Sequence, residues 1–197
     1  MKLTSLSIRK QKGSFQGFTL IEALVAIGVL GLLAAIAIPA YSRWVPDYRL
    51  KRAAQELYAN LQMAKIGAVK ENSDWAVVFD ANNNAYYVCL TAGGDNDWAT
   101  FSDNTKKKIV RLADYGDTLT FGSGNATNAI DDMDKSGHPP SDSITYPNDV
   151  VIFNPKGLCD AGVVYLQNSK KSSYAIETRN TGVICIRKWN PSSSSWE

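Results

Sequence analysis

The sequence predicts an α+β protein in which one long N-terminal helix packs against a small antiparallel β-sheet. Three observations predict it. An apolar run, Phe18–Ile38, is followed after two prolines by amphipathic helical periodicity as far as Asn72. Beyond that point the pattern changes to short β-rich runs bounded by Gly, Asn and Asp. These runs follow one another too closely to leave room for the crossover helices of a parallel sheet. With 197 residues, 45% hydrophobic and 20% charged, the chain can bury one ordinary core and carry one appended element. The expected organisation is a short basic segment at 1–17, an apolar helix at 18–38, an amphipathic helix at 39–72 and a β domain at 73–197. A long Gly/Asn/Asp/Pro/Ser-rich loop is expected over 122–148 within that domain.

Charge is unevenly placed. The chain has 21 Lys and Arg against 19 Asp and Glu, but residues 1–17 hold Lys2, Arg9, Lys10 and Lys12 and no acid. Without those four bases, 17 stand against 19, a net of −2. A slightly acidic body is poorly suited to bulk attraction to nucleic acid.

The 21 residues FTLIEALVAIGVLGLLAAIAI are interrupted by one charge, Glu22. As a helix they reach roughly 30 Å, enough to cross the hydrocarbon of a bilayer. Basic residues before the run predict a cytoplasmic N-terminus and an extracytoplasmic body. A secretory signal peptide would suit Ala35-Ile36-Ala37 as a cleavage site, but the run is longer than such a segment needs. A plain anchor explains the length and leaves Glu22 unexplained. A carboxylate in hydrocarbon costs on the order of 3 kcal/mol and implies a partner. Cleavage between Gly17 and Phe18 would supply one, an α-amine that a staggered neighbouring helix could bring to Glu22. Such a pair would set register more than strength.

QGFTLIEALVAIGVLGLLAAIAIP resembles the prepilin signature of type IV pilins and type II secretion pseudopilins. Its features are a basic leader ending in glycine, then phenylalanine, a glutamate at the fifth mature position, and a proline about seventeen residues further on. Gly17, Phe18, Glu22 and Pro39 stand at those places. The resemblance implies cleavage after Gly17 by a prepilin peptidase, N-methylation of Phe18, and assembly through Glu22 and Pro39. It also implies a type IV pilin-like fold, inner-membrane lipid around the helix, an assembly platform in that membrane and other pilins as partners.

After the run, Pro39 is expected to kink the helix near Ala35, and Pro46 to add a second break just beyond Trp44, an aromatic suited to the membrane interface. Asp47 is a candidate N-cap for the next helix. Its stripe is Leu50, Ala53, Ala54, Leu57, Leu61, Ala64 and Ala68, with Lys51, Gln55, Glu56, Asn60 and Gln62 off it. Strands are expected at Trp75–Phe79, Ala85–Thr91, Lys108–Ala113, Thr118–Phe121, Asp149–Phe153, Gly162–Asn168, Ser173–Thr178 and Gly182–Lys188. The tail Asn190–Glu197 is expected to be frayed. The helix, with Ala64, Lys65 and Ala68, resembles the post-membrane helix of the GspH/FimT family. Phe153, Pro155 and Gly157 resemble that family's phenylalanine–x–proline–x–glycine turn. A low-abundance subunit near a filament tip is implied, in a secretion pseudopilus or a type IV pilus.

Three cysteines allow three single bridges, of which Cys159–Cys185 is expected in the oxidising compartment, with Cys89 a small buried hydrophobe. Asp132-Met-Asp134-Lys-Ser136-Gly137 has half of a calcium-loop pattern, but the twelfth position is Ser143 rather than a glutamate. FimT-type members are implicated in DNA uptake through a glycine–arginine–x–arginine motif. The stretch here is Gly182-Val183-Ile184-Cys185, without either arginine. Arg187, Lys188 and Trp189, with Lys170, Lys171 and Arg179, remain a candidate basic patch for DNA. Lys106, Lys107 and Lys108 read as a solubilising turn. The single histidine, His138, precedes Pro139-Pro140, and no nucleophile elbow, P-loop or dinucleotide fingerprint is present. No metal, cofactor or catalysis is expected.

Overall fold

A computed structural model describes residues 17–100, 102–130 and 139–197. The basic residues before Gly17, the half calcium pattern at 132–137 and His138 lie outside the described residues. The chain divides into two compact units, one up to Tyr41 and one from Ser42. Helix α1 is Leu20–Glu71.

In the first unit, α1 carries a stretch of mean hydropathy 2.6, long and apolar enough to cross a membrane, and none of that stretch is buried. The break expected at Pro46 is corrected, and Pro39 does not interrupt the helix. α1 runs through both Pro39 and Pro46. Each proline removes one N–H from the ladder, yet its fixed φ is itself helical, so the flanking rungs can persist. Asp47 is therefore inside the helix and does not cap it.

The second unit packs the rest of α1 against two antiparallel sheets rather than one. Strands β1 (Trp75–Asp80), β2 (Ala85–Thr91) and β3 (Thr105–Arg111) meander by hairpin connections. With β5 (Val150–Phe153) they form a four-stranded sheet in the order β3-β2-β1-β5. A two-residue β4 (Thr120–Phe121), β6 (Gly162–Gln167), β7 (Ser173–Thr178), β8 (Ile184–Asn190) and β9 (Ser195–Trp196) form the second, in that order. The DANNN turn between β1 and β2 holds Asn84 at φ 46 and is closed by the Asn83 amide donating to Asp80 Oδ1 at 3.0 Å.

One core joins all three layers. Leu50, Ala53, Ala54, Leu57, Leu61, Ala64 and Ala68 meet Val77, Phe79 and Val88 from the first sheet and Val164, Leu166 and Ile176 from the second. These are the stripe residues that helical spacing selects. Asn60, expected off the stripe, is buried with them. Its Nδ2 donates to Tyr86 Oη at 2.7 Å, and Lys108 Nζ donates to its Oδ1 at 3.1 Å. β1 is buried along its whole length because Trp98 and Ala99 of the loop between β2 and β3 cover its other face.

Three further expectations change. Lys106, Lys107 and Lys108 lie in the edge strand β3, not in a turn. Charges on an edge strand discourage pairing with another sheet. Within the expected surface loop, Ile144 and Tyr146 enter the core, and Ile144 bridges Val164. The C-terminal residues are paired: β9 joins β8, and Trp196 lies 5.3 Å from Trp189 and 5.4 Å from Tyr165 by ring centroids. Its indole N–H donates to the Asn128 carbonyl at 2.7 Å.

Candidate functional site

The start of α1 has a local logic that the membrane argument missed. Thr19 precedes the helix, and its Oγ1 accepts the Glu22 amide at 3.3 Å. Its carbonyl accepts the Ala23 amide at 3.1 Å. Thr19-x-x-Glu22 is thus the threonine half of a capping box, with the acid in the first turn, where the helix dipole favours it. The signal was legible as T-x-x-E before an apolar run. Phe18, immediately before the cap, is 85% exposed and Glu22 is exposed, so nothing among the described residues covers either.

The motif residues of the back half converge on one tie between helix and turns. Lys65 Nζ donates to the Gly182 carbonyl at 2.8 Å. Gly157 and Gly182 both have positive φ, 77° and 76°. In the Phe153–Gly157 turn, Asn154 Oδ1 accepts the amides of Lys156 at 3.0 Å and Leu158 at 3.1 Å. A Cβ on Gly182 would fall on the Gly157 carbonyl oxygen. The lysine and the two glycines therefore have a structural role in seating α1 on both turns.

Of the candidate DNA patch, Lys170, Lys171, Lys188 and Trp189 line one groove, and Arg187 lies apart from it. Strand alternation puts Lys188 on the face of β8 shared with Ile184 and Ile186, which pack on the core, and Arg187 on the other. On that other face Glu177 accepts from Arg179 Nε at 2.7 Å and from Arg187 Nε at 3.4 Å. Trp189 is buried, 4% exposed, under Trp196 and offers no free ring for a base to stack on. Lys170, Lys171 and Lys188 do come together, around a groove of about 350 Å³ that Glu197 also lines. Lys170 Nζ is 3.1 Å from Asp47 Oδ2, and Asn168 Nδ2 donates to Asp47 Oδ1 at 2.8 Å. Burial pushes the Asp47 carboxyl up, but the hydrogen bonds from Asn168 and Lys170 outweigh it and leave its pKa lowered.

The expected Cys159–Cys185 bridge is corrected: Cys89, Cys159 and Cys185 are three separate thiols. Cys159 sits in the core with Ile184, and alternation sends the next residue, Cys185, to the opposite face. The Cys159 thiol donates instead to the Arg179 carbonyl at 3.3 Å. Cys89 is fully buried, as expected. Among the described residues no group of three or more His, Cys, Asp or Glu could hold a metal ion.

An unburied apolar helix that begins at a capped glutamate, joined to an α+β domain, defines a type IV pilin-like subunit. Residues 9–38 match the prokaryotic N-terminal methylation motif. Residues 53–182 match the Type II transport protein GspH family, and the chain belongs to that family. Fimbrial protein EcpC of Eikenella corrodens is 39% identical over 79 residues, covering 40% of this chain and 48% of that protein. The chain thus spans about half the length of EcpC. A fimbrial protein of Pseudomonas aeruginosa is 30% identical over 118 residues, covering 56% of this chain and 72% of that protein. The minor pseudopilin EpsH from the Type 2 Secretion System of Vibrio cholerae superposes with a TM-score of 0.46 and 11% identity, covering 70% of this chain and 95% of that one. The chain is a type IV pilin or pseudopilin-like structural subunit, and its family implies assembly into filaments with other pilins.

Proposed function

We propose that the chain is a minor pseudopilin, made as a membrane-anchored precursor and transferred into a filament of a type II secretion machine. Residues 1–17 are the leader. A prepilin peptidase cuts after Gly17 and Phe18 is N-methylated. The 18–38 segment first anchors the chain in the inner membrane, with the leader cytoplasmic and the body periplasmic. It then packs in the filament core, assembled by the inner-membrane platform. The body from residue 39 is displayed outward and helps initiate assembly or contact exported cargo. In the core, Glu22 meets the α-amine of a neighbouring subunit.

One observation carries this reading. The stretch of α1 that begins at Thr19-x-x-Glu22 is apolar, long enough to span a bilayer and buried by nothing among the described residues. Apolar area of that extent needs lipid or other helices around it. A DNA-uptake role has less support, since Glu177 engages both arginines and Trp189 is buried.

Replacement of Gly17 by tryptophan should leave the precursor uncut, read by the mass of the N-terminal peptide; normal processing would reject the assigned site. Glu22→Val should be cleaved normally and fail to enter filaments. Photo-crosslinking from Leu24 should trap secretion pseudopilins, and capture of surface-pilus subunits instead would move the protein to a pilus.

A further inference from the structure

The basic groove gathers cations on the body of the chain, and the inference rests on the membrane anchoring proposed above. Ile38 ends the apolar run, and Asp47 follows nine residues later in the sequence. The β6–β7 turn is pinned to Asp47. Asn168, 2% exposed, donates to Asp47 and accepts the amides of Lys170 at 3.0 Å and Ser172 at 3.1 Å. Lys171 follows at φ 62 with its side chain exposed.

Cations concentrate here although the body as a whole is slightly acidic. Along α1, Arg43, Asp47 and Lys51 recur every four residues and share one face, so the single acid is flanked by two bases. Lys170 already pairs with that acid. Lys171 and Lys188 line the groove with no ion-pair partner among the described residues. Glu197 is the opposing charge in the groove, and it is engaged by Asn190 Nδ2 at 2.7 Å and Ser193 Oγ at 3.0 Å. Trp44 and Tyr48, stacked with centroids 4.8 Å apart and exposed, supply on the same stretch of helix the aromatic pair that favours a membrane interface.

We propose that Lys170, Lys171 and Lys188 form a cationic seat for the phosphate headgroup of an anionic phospholipid in the membrane that holds the helix. The seat orients the body on that surface before the subunit is lifted into a filament. A lysine near an anionic bilayer contributes roughly fivefold in affinity, and the effect fades within a Debye length of about 8 Å at physiological salt. The contact is therefore strong in sum and released when the helix leaves the bilayer.

The test is lysine-reactive footprinting of the full chain in nanodiscs, read by mass spectrometry. One set of discs is zwitterionic and the other holds about a third phosphatidylglycerol, with Lys107 and Lys156 as internal references. Lys171 and Lys188 should lose about threefold or more of their reactivity in anionic discs only, and regain it in high salt. Lys171→Asn, which tolerates the left-handed backbone, combined with Lys188→Gln should abolish the preference of the chain for anionic lipid. Equal reactivity in both discs, with the helix protected from solvent exchange in both, overturns the seat and leaves the anchor standing. An unprotected helix overturns both. Equal protection by inorganic phosphate in zwitterionic discs overturns the lipid as its source, and protection by DNA with none by anionic lipid reassigns the groove to nucleic acid.

Discussion

Gly182 is the position at which the tie between α1 and the two turns can be broken with a single methyl group. An alanine there must hold φ near 76°, which costs an L-residue about 1–2 kcal/mol. Its Cβ would also fall on the Gly157 carbonyl oxygen, a backbone atom that cannot rotate away as a side chain would. Separating the two turns adds overpacking strain of about 1–3 kcal/mol. It also draws the Gly182 carbonyl away from Lys65 Nζ, now at 2.8 Å. These effects act on one small region and do not simply add, so the expected loss is about 3–5 kcal/mol. A domain of this size has a urea m-value of about 2 kcal/mol/M, which converts that loss into a midpoint lower by about 1.5–2.5 M. The measurement is urea unfolding of the full chain in detergent, followed by tryptophan fluorescence. Gly94→Ala is the control, because a Cβ there meets nothing within 4 Å; it should lie within about 0.5 kcal/mol of the parent. Lys65→Met should reproduce only the hydrogen-bond part, about 1 kcal/mol. A Gly182→Ala midpoint equal to that of Gly94→Ala would contradict the assigned tie.

Other consequences can be checked with the same protein. In native buffer a thiol reagent should label Cys185 quickly, and all three cysteines only after unfolding, because burial pushes the Cys89 thiol up to about 11 and raises Cys159 as well; one thiol in denaturant would instead mean a disulfide. Glu56 is held below the usual carboxylate range by hydrogen bonds from Tyr115 and Lys108, which outweigh its burial. A depressed folded pKa stabilises above the ordinary value, here 4.5, and the gain is lost as pH falls through the folded value. The urea midpoint should therefore drop below about pH 4.5, and Glu56→Gln should flatten that drop; an identical pH profile would remove the carboxylate from the account. Trp196→Ala loses two ring contacts and the bond to Asn128, and should cost about 2 kcal/mol in thermal unfolding, whereas a frayed tail would cost nothing measurable.

Local pattern was enough for much of this protein. The apolar run and its glutamate, the helical stripe from Leu50 to Ala68 and most strands are properties of neighbours in the chain. A helix or strand declares itself through a repeat of three to four residues or of two, and no distant contact is needed to read it. The Thr19-x-x-Glu22 cap belongs to the same class, and was missed only because the carboxylate was weighed against the bilayer rather than against its own first turn.

Closure of the chain settled the rest. Nothing near Asn60 in sequence says that Tyr86 and Lys108 will satisfy its amide in the core. Trp196 became structural because β6 and β8 present Tyr165 and Trp189 to it, and the two sheets share one core, with Phe79 of the first packed on Phe121 of the second. The basic residues show the point most plainly. Arg187 and Lys188 are adjacent in the chain, yet pleating sends one to Glu177 and the other to the groove with Lys170 and Lys171. Burial, the face a side chain takes and the partner of a charge depend on which segments meet. Those meetings depend on long-range packing, to which a local repeat is blind.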